Sequence, residues 1–333
     1  MSIRGKGINY DTGFTSSGHS SREFFDPEQV EREMRVIAED LHCNAVRITG
    51  GDPVRLSVAA RLAAAAGLEV WFAPFPCELS PAENLALLAE CADLAEQLRQ
   101  TGAEVVFVAG GELSLFGAGF VPGQTFADRI PNLGKADLRA VGARLSHYLA
   151  EVAAEVRGRF SGKISYAAGP WEDIDWAPFD IVSVDGYRDA NNRDYFAESI
   201  RRLFRHGKPV AITEFGCCAY QGAADRGGLG WAIIDWDATD QLTTGPRLDG
   251  DYVRDEGEQV RYLTELLEVF SAVEVDSAFW FSFAGFGMPR HDDPRRDMDL
   301  ASYGVVAILD DNGTDWRPKE SFHALAAAYG KAE

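Results

Sequence analysis

Eight short apolar runs are spaced along the 333 residues, and nearly every one is followed by a stretch with helical spacing. The runs are Gly5–Tyr10, Cys43–Thr49, Leu68–Pro74, Glu104–Glu112, Lys163–Ala168, Phe179–Asp185, Val210–Glu214 and Asp276–Phe283. A strand that reads as a near-continuous apolar run is buried on both faces, the condition of a parallel sheet covered by crossover helices. Helix signals fall between the runs. Asp26-Pro27 opens a helix over about 27–41, with Val30, Met34, Ile37 and Leu41 at helical spacing; Asp52-Pro53 opens an Ala-rich helix ended by Gly67. Ser80-Pro81-Ala-Glu83 is a capping box before a helix to about Gln100. Further helices are predicted over about 135–158, 193–206, 255–272 and from Pro318 to Tyr329. The fifth connection, around Trp171–Pro178, is too short for one. This alternation predicts a single domain over 1–333, an α/β fold closing as a (β/α)8 TIM barrel. An open doubly wound sheet is the competing topology, but no strand is followed by GxGxxG or a P-loop.

In a (β/α)8 barrel the active site lies at the C-terminal rim of the strands. The fourth and seventh runs, Glu104-Val-Val-Phe-Val-Ala-Gly-Gly-Glu112 and Lys208-Pro-Val-Ala-Ile-Thr-Glu214-Phe-Gly216, each end on a carboxylate. A carboxylate closing an apolar run is costly to bury without partners, so Glu112 and Glu214 are the candidate catalytic pair. Also expected at the rim are Asn9, Tyr10, Arg47, Phe75, Trp171, Glu172, Asp185, Tyr187 and Trp280. A long loop at about 217–255 brings Trp231, Trp236, Asp235 and Asp237, and its length marks it as a wall or lid of a cleft. Two carboxylates over an aromatic floor meet the needs of glycoside hydrolysis: one protonates the leaving oxygen, the other attacks the anomeric carbon or activates water. Carboxyls about 5–5.5 Å apart retain configuration and about 6.5–9.5 Å apart invert it.

The six histidines avoid the strand ends, and only His19 and His291 stand in loops that reach a mouth, so no metal ligand set is expected. No organic cofactor is expected either. A net charge of −20 argues against nucleic acid or an acidic membrane surface as partner and fits a neutral small-molecule or oligosaccharide substrate. The N-terminal residues lack the apolar core of a signal peptide and no apolar stretch approaches the length of a membrane span. With five cysteines that form no CxxC pair, a cytoplasmic, reduced setting is the expectation.

These motifs, in this order, resemble the clan A glycoside hydrolases along nearly the whole chain. The fourth-strand Glu, the seventh-strand Thr-Glu214-Phe-Gly and the eighth-strand Phe-Trp280-Phe carry the likeness. Arg47 in Asn-Ala-Val-Arg-Ile is similar to the clan's second-strand Arg, and Asp185-Gly-Tyr187 to its sixth-strand segment. The ending Ser302-Tyr-Gly-Val-Val with Trp316-Arg-Pro-Lys-Glu-Ser-Phe322 fits the same pattern. The resemblance implies Glu112 as general acid/base and Glu214 as nucleophile, with retention. It departs at Gly111, where clan members usually carry Asn, and the endo-β-mannanase-like members are the nearer comparison. Two other classes fit the same residues: a saccharide-binding barrel without chemistry, and a two-carboxylate barrel enzyme acting on a non-sugar substrate.

Overall fold

The computed structural model describes residues 3–236, 238 and 246–331; Asp237 lies outside them. Eight parallel strands close a barrel: β1 (Gly5–Asp11), β2 (Ala45–Gly50), β3 (Glu69–Pro74), β4 (Val105–Gly111), β5 (Lys163–Ala168), β6 (Val182–Asp185), β7 (Val210–Phe215) and β8 (Ser277–Trp280). Strands pair in sequence order, and β8 closes on β1 through the register Gly5 to Ser277 and Ile8 to Trp280. Helices α1 (Pro27–Arg35), α2 (Pro53–Ala65), α3 (Pro81–Gln100), α4 (Leu138–Arg157), α5 (Phe196–Leu203), α6 (Glu256–Ala272) and α7 (Glu320–Tyr329) cover the outside. The fold is the (β/α)8 barrel expected.

The barrel is filled by side chains, and its first strand shows why two glycines stand there. Trp71 of β3 and Phe279 of β8 meet in the interior, ring centroids 4.8 Å apart. A Cβ on Gly7 would fall 2.2 Å from the Phe279 ring and one on Gly5 2.3 Å from Ser277 Oγ, so β1 carries no side chain where the neighbouring strand's side chains already fill the space. Odd-numbered β1 residues therefore face inward and Ile8 and Tyr10 join the outer core against the helices.

Helix starts follow their caps. Asp26, Asp52 and Asp137 accept backbone N–H groups of the first turn, and the Ser80–Glu83 box closes reciprocally. The first helix is regular only to Arg35; it continues as a wider π-type turn, with Leu41 N–H donating to Val36 O at 3.0 Å. The predicted 135–158 helix is α4, and ahead of it stands a second, unanticipated one, Phe126–Leu133, started by a Thr125–Asp128 capping box. Strands β6 and β8 are shorter than their apolar runs. As expected, the β5–β6 connection carries no helix.

Candidate active site

Both glutamates reach the mouth through an irregularity in their strands. In β4, Val108 pairs with Ser165 but Gly111 with Ala167, so one extra residue is looped into β4. Gly110 takes up the turn at φ +90, and Glu112 follows in the left-handed region at φ 45, ψ 40. In β7, Ile212 pairs with Val184 and Glu214 with Asp185, again one residue too many. A bulge of this kind bends the strand and re-aims a side chain. It lets Glu214 reach the mouth while Phe215 turns outward onto Phe270 and Trp280, at ring distances of 5.1 and 5.4 Å.

The two carboxylates have unlike surroundings. Glu214 Oε1 accepts from Arg47 Nη1 at 2.6 Å and Oε2 from the Tyr187 hydroxyl at 2.9 Å. Arg47 is fully buried and is fixed in turn by Asn9 Oδ1 at 2.8 Å, while Asn9 Nδ2 donates to Thr213 O at 2.9 Å. Burial, followed by the Glu214 charge, holds Tyr187 well above the ordinary phenol range, so it is a donor here. Glu112 has no side-chain hydrogen bond among the described residues. Burial, then the charges of Asp185, Glu214 and Glu172, push it well above the usual carboxylate range, with Arg47 opposing. Asp185, 1% exposed and opposite Glu214 in the register, is likewise raised by burial and the Glu214 charge.

Glu172 is a brace for the Glu112 turn. Its carboxylate accepts from Ser114 N–H (2.9 Å), the Tyr166 hydroxyl (2.8 Å) and Gly169 N–H (3.0 Å). Tyr166 also receives the Leu113 N–H at 2.7 Å, and Trp171 Nε1 donates to Ser114 Oγ at 2.9 Å. The β5 loop thus fixes the backbone immediately after Glu112.

Two expected rim residues lie elsewhere. Tyr10 is fully buried on the helix side, its hydroxyl donating to Glu33 Oε2 at 2.5 Å. Trp280 is equally buried and donates to Tyr303 O at 3.1 Å. The cause is strand alternation: with Asn9 and Phe279 facing inward, their successors face out. The aromatic reaching the mouth from this corner is Phe281, edge-on to Tyr187 and Tyr303 at 6.5 and 5.7 Å.

The aromatic wall is also larger than the tryptophans suggest. Phe14, Phe75, Phe116, Phe126 and Trp231 form a chain of half-buried rings with successive centroid distances of 5.0, 4.7, 4.4 and 6.0 Å. Phe75 borders the site directly: a Cβ on Gly111 would lie 3.5 Å from its ring and 3.2 Å from Arg47 Nη2. Trp236 packs on His19 at 5.2 Å. The Thr-x-x-Asp box at Thr125 was the one sequence signal for the Phe126 helix; nothing local marked Phe14 or Phe116. The long loop is pinned beneath by Tyr303, whose hydroxyl donates to Gly227 O (2.7 Å) and accepts from Gly230 N–H (2.9 Å). Among the described residues no group of three or more His, Cys, Asp or Glu is arranged to hold a metal ion, and no helix is long and apolar enough to cross a membrane.

A (β/α)8 barrel with carboxylates, one arginine and aromatic rings at the C-terminal rim is the class these features define. No protein-family model matches the sequence, and no curated protein does. Solved structures do. A GH113 β-1,4-mannanase superposes with a TM-score of 0.64 at 16% identity, over 99% of this chain and 100% of that one. The GH113 β-mannanase AaManA from Alicyclobacillus acidocaldarius, in complex with ManMIm, gives 0.59 at 16% identity over 98% and 97%. A family 1 β-glucosidase from Thermotoga maritima gives 0.56 at 11% identity over 99% and 98%. At these identities the likeness is one of fold: the chain has the (β/α)8 fold of the clan A glycoside hydrolases.

Proposed function

We propose that the protein is a retaining β-glycoside hydrolase acting on a neutral saccharide or glycoside. The observation that carries this reading is the unequal setting of the two strand-end glutamates. Glu214, accepting from Arg47 and Tyr187, is the nucleophile that attacks the anomeric carbon. Glu112, raised by burial and by its acidic neighbours, holds the proton that the leaving oxygen needs, then takes one from the water that releases the sugar. Asn9, Arg47, Asp185 and Tyr187 form the polar floor under the sugar. Buried Arg47 stands against three carboxyls, Glu112, Asp185 and Glu214, which disfavours an anionic sugar there. The solved structures with this fold include β-mannanases and a β-glucosidase, which supports a glycosidic bond as the target. Neither metal nor organic cofactor enters the reaction so written. The five cysteines are unpaired, as a cytoplasmic enzyme's would be.

A panel of aryl and short oligosaccharide β-glycosides, followed by NMR of the first-formed sugar, tests the proposal. Hydrolysis releasing the β-anomer first is expected. Release of the α-anomer first would place the mechanism in the inverting class. Binding without turnover, unchanged in Glu214→Gln, would make the protein a saccharide-binding barrel.

A further inference from the structure

We propose that the loops after β1, β4 and β7 close a ring around the mouth, and that the protein therefore takes a saccharide by its end and does not cut within a polymer. This rests on the glycosidase reading above. The three strands stand three, three and two positions apart around the barrel, so their loops meet only by reaching past the strand ends between them. Each pair does meet. Between β1 and β4, Ala127 N–H donates to Ser17 Oγ at 3.2 Å. Glu78 Oε1, from the β3 loop, joins the same two segments by accepting from Ser17 N–H at 2.8 Å and Phe126 N–H at 2.9 Å. Between β4 and β7, the Phe126 and Trp231 rings lie 6.0 Å apart. Between β7 and β1, Trp236 and His19 lie 5.2 Å apart.

The ring is anchored to the reaction centre at two places. Phe126 stacks on Phe116 at 4.4 Å, and the Phe116 N–H donates to Glu112 O at 2.9 Å. In the β7 loop a Cβ on Gly228 would lie 3.1 Å from the Tyr187 ring, and Tyr187 donates to Glu214. The Arg47 and Glu214 side chains are only 1% and 15% exposed, so the floor lies deep below the loops. The β1–β4 junction is also held against backbone preference: Ser17 and Glu78 both take left-handed φ, at 50 and 64. Such conformations persist where surrounding contacts over-determine them, and the shared Glu78 carboxylate supplies those contacts. A polymer lying across the floor would have to cross the ring twice, once on each side. A chain end entering from above crosses it nowhere.

The test follows the first products from a β-linked pentasaccharide and from the corresponding polymer. One short product of fixed length, released from one end while polymer viscosity holds, is expected. Glu78→Ala and His19→Ala, which open the β1–β4 and β7–β1 junctions, should raise the ratio of polymer to aryl-glycoside kcat/KM about tenfold, the worth of a hydrogen bond to a charged group. Glu78→Gln, which keeps an acceptor oxygen, should behave as the parent. Fragments of mixed length at the outset, with falling viscosity, would overturn the inference while leaving the glycosidase reading intact. If no glycoside is cleaved, that reading fails and the ring is judged by amide hydrogen exchange. Faster exchange in Glu78→Ala across the β1 hairpin, the Phe126 helix and the β7 loop together would uphold it; loosening confined to the β3 loop would overturn it.

Discussion

The ends of β4 and β7 are built alike and behave differently. Each strand carries an extra residue just before its glutamate, and each glutamate is thereby turned toward the mouth. At β7 the carboxylate meets a guanidinium and a phenol; at β4 it meets no donor among the described residues and stands among other carboxyls. Position in a barrel makes a carboxylate available, and the neighbouring strands decide what it can do. Arg47 from β2 and Tyr187 from beyond β6 serve one end, while the Glu172 brace serves the backbone of the other without touching its carboxylate.

The largest effect should come from the β7 end. Glu214→Ala removes the proposed nucleophile, and kcat should fall by about 10⁴-fold or more on every substrate, as for loss of a nucleophile elsewhere. Glu112→Ala should cost about 10²–10⁴-fold with alkyl leaving groups and little in the first step with dinitrophenolate, which departs without a proton. Azide should restore turnover in that variant and yield a β-glycosyl azide. Equal losses from both variants on all substrates, with no azide product, would break the contrast between the two ends.

Smaller changes sharpen it. Tyr187→Phe deletes one of the two donors to Glu214 and should lower kcat/KM about 10–100-fold, the worth of a hydrogen bond to a charged group. Asp185→Asn acts on the other end. Asp185 is the largest of the charges that raise Glu112, so its removal should move the alkaline limb of the kcat/KM profile to lower pH. The same substitution bears on stability. A carboxyl whose pKa is raised on folding favours the native state below its unfolded value of 3.8 and loses that contribution as pH rises toward its folded value. Asp185→Asn should therefore melt higher than the parent protein above that value, with a gap of about 2–4 °C that widens as pH rises. A gap that narrows with pH would contradict it.

The barrel was legible because its strands are buried on both faces and its helices carry their own caps. Asp52-Pro53 and Ser80-Pro81-Ala-Glu83 begin helices where the residues alone place them. Arg47, Glu112, Glu214 and Tyr187 were legible as strand-end polar groups on apolar runs. Orientation was less so. Period-two alternation excludes Tyr10 once Asn9 is placed inside, and Trp280 once Phe279 is, but placing Phe279 depends on Gly5 and Gly7 of a strand far away in sequence. The Gly110-Gly111 pair hints at the β4 bulge; the β7 bulge at Thr213-Glu214 leaves no mark in residue type. The row from Phe14 to Trp231 is assembled from four separate loops, so no local pattern encodes it.

The division of labour between Glu214 and Glu112 is tested most directly by trapping the intermediate. Incubation with 2-deoxy-2-fluoro β-glycosides bearing a dinitrophenyl leaving group, then peptide mass spectrometry, should locate one covalent glycosyl ester on Glu214. An ester on Glu112, or full turnover of these compounds with release of the α-anomer first and no adduct, would contradict it.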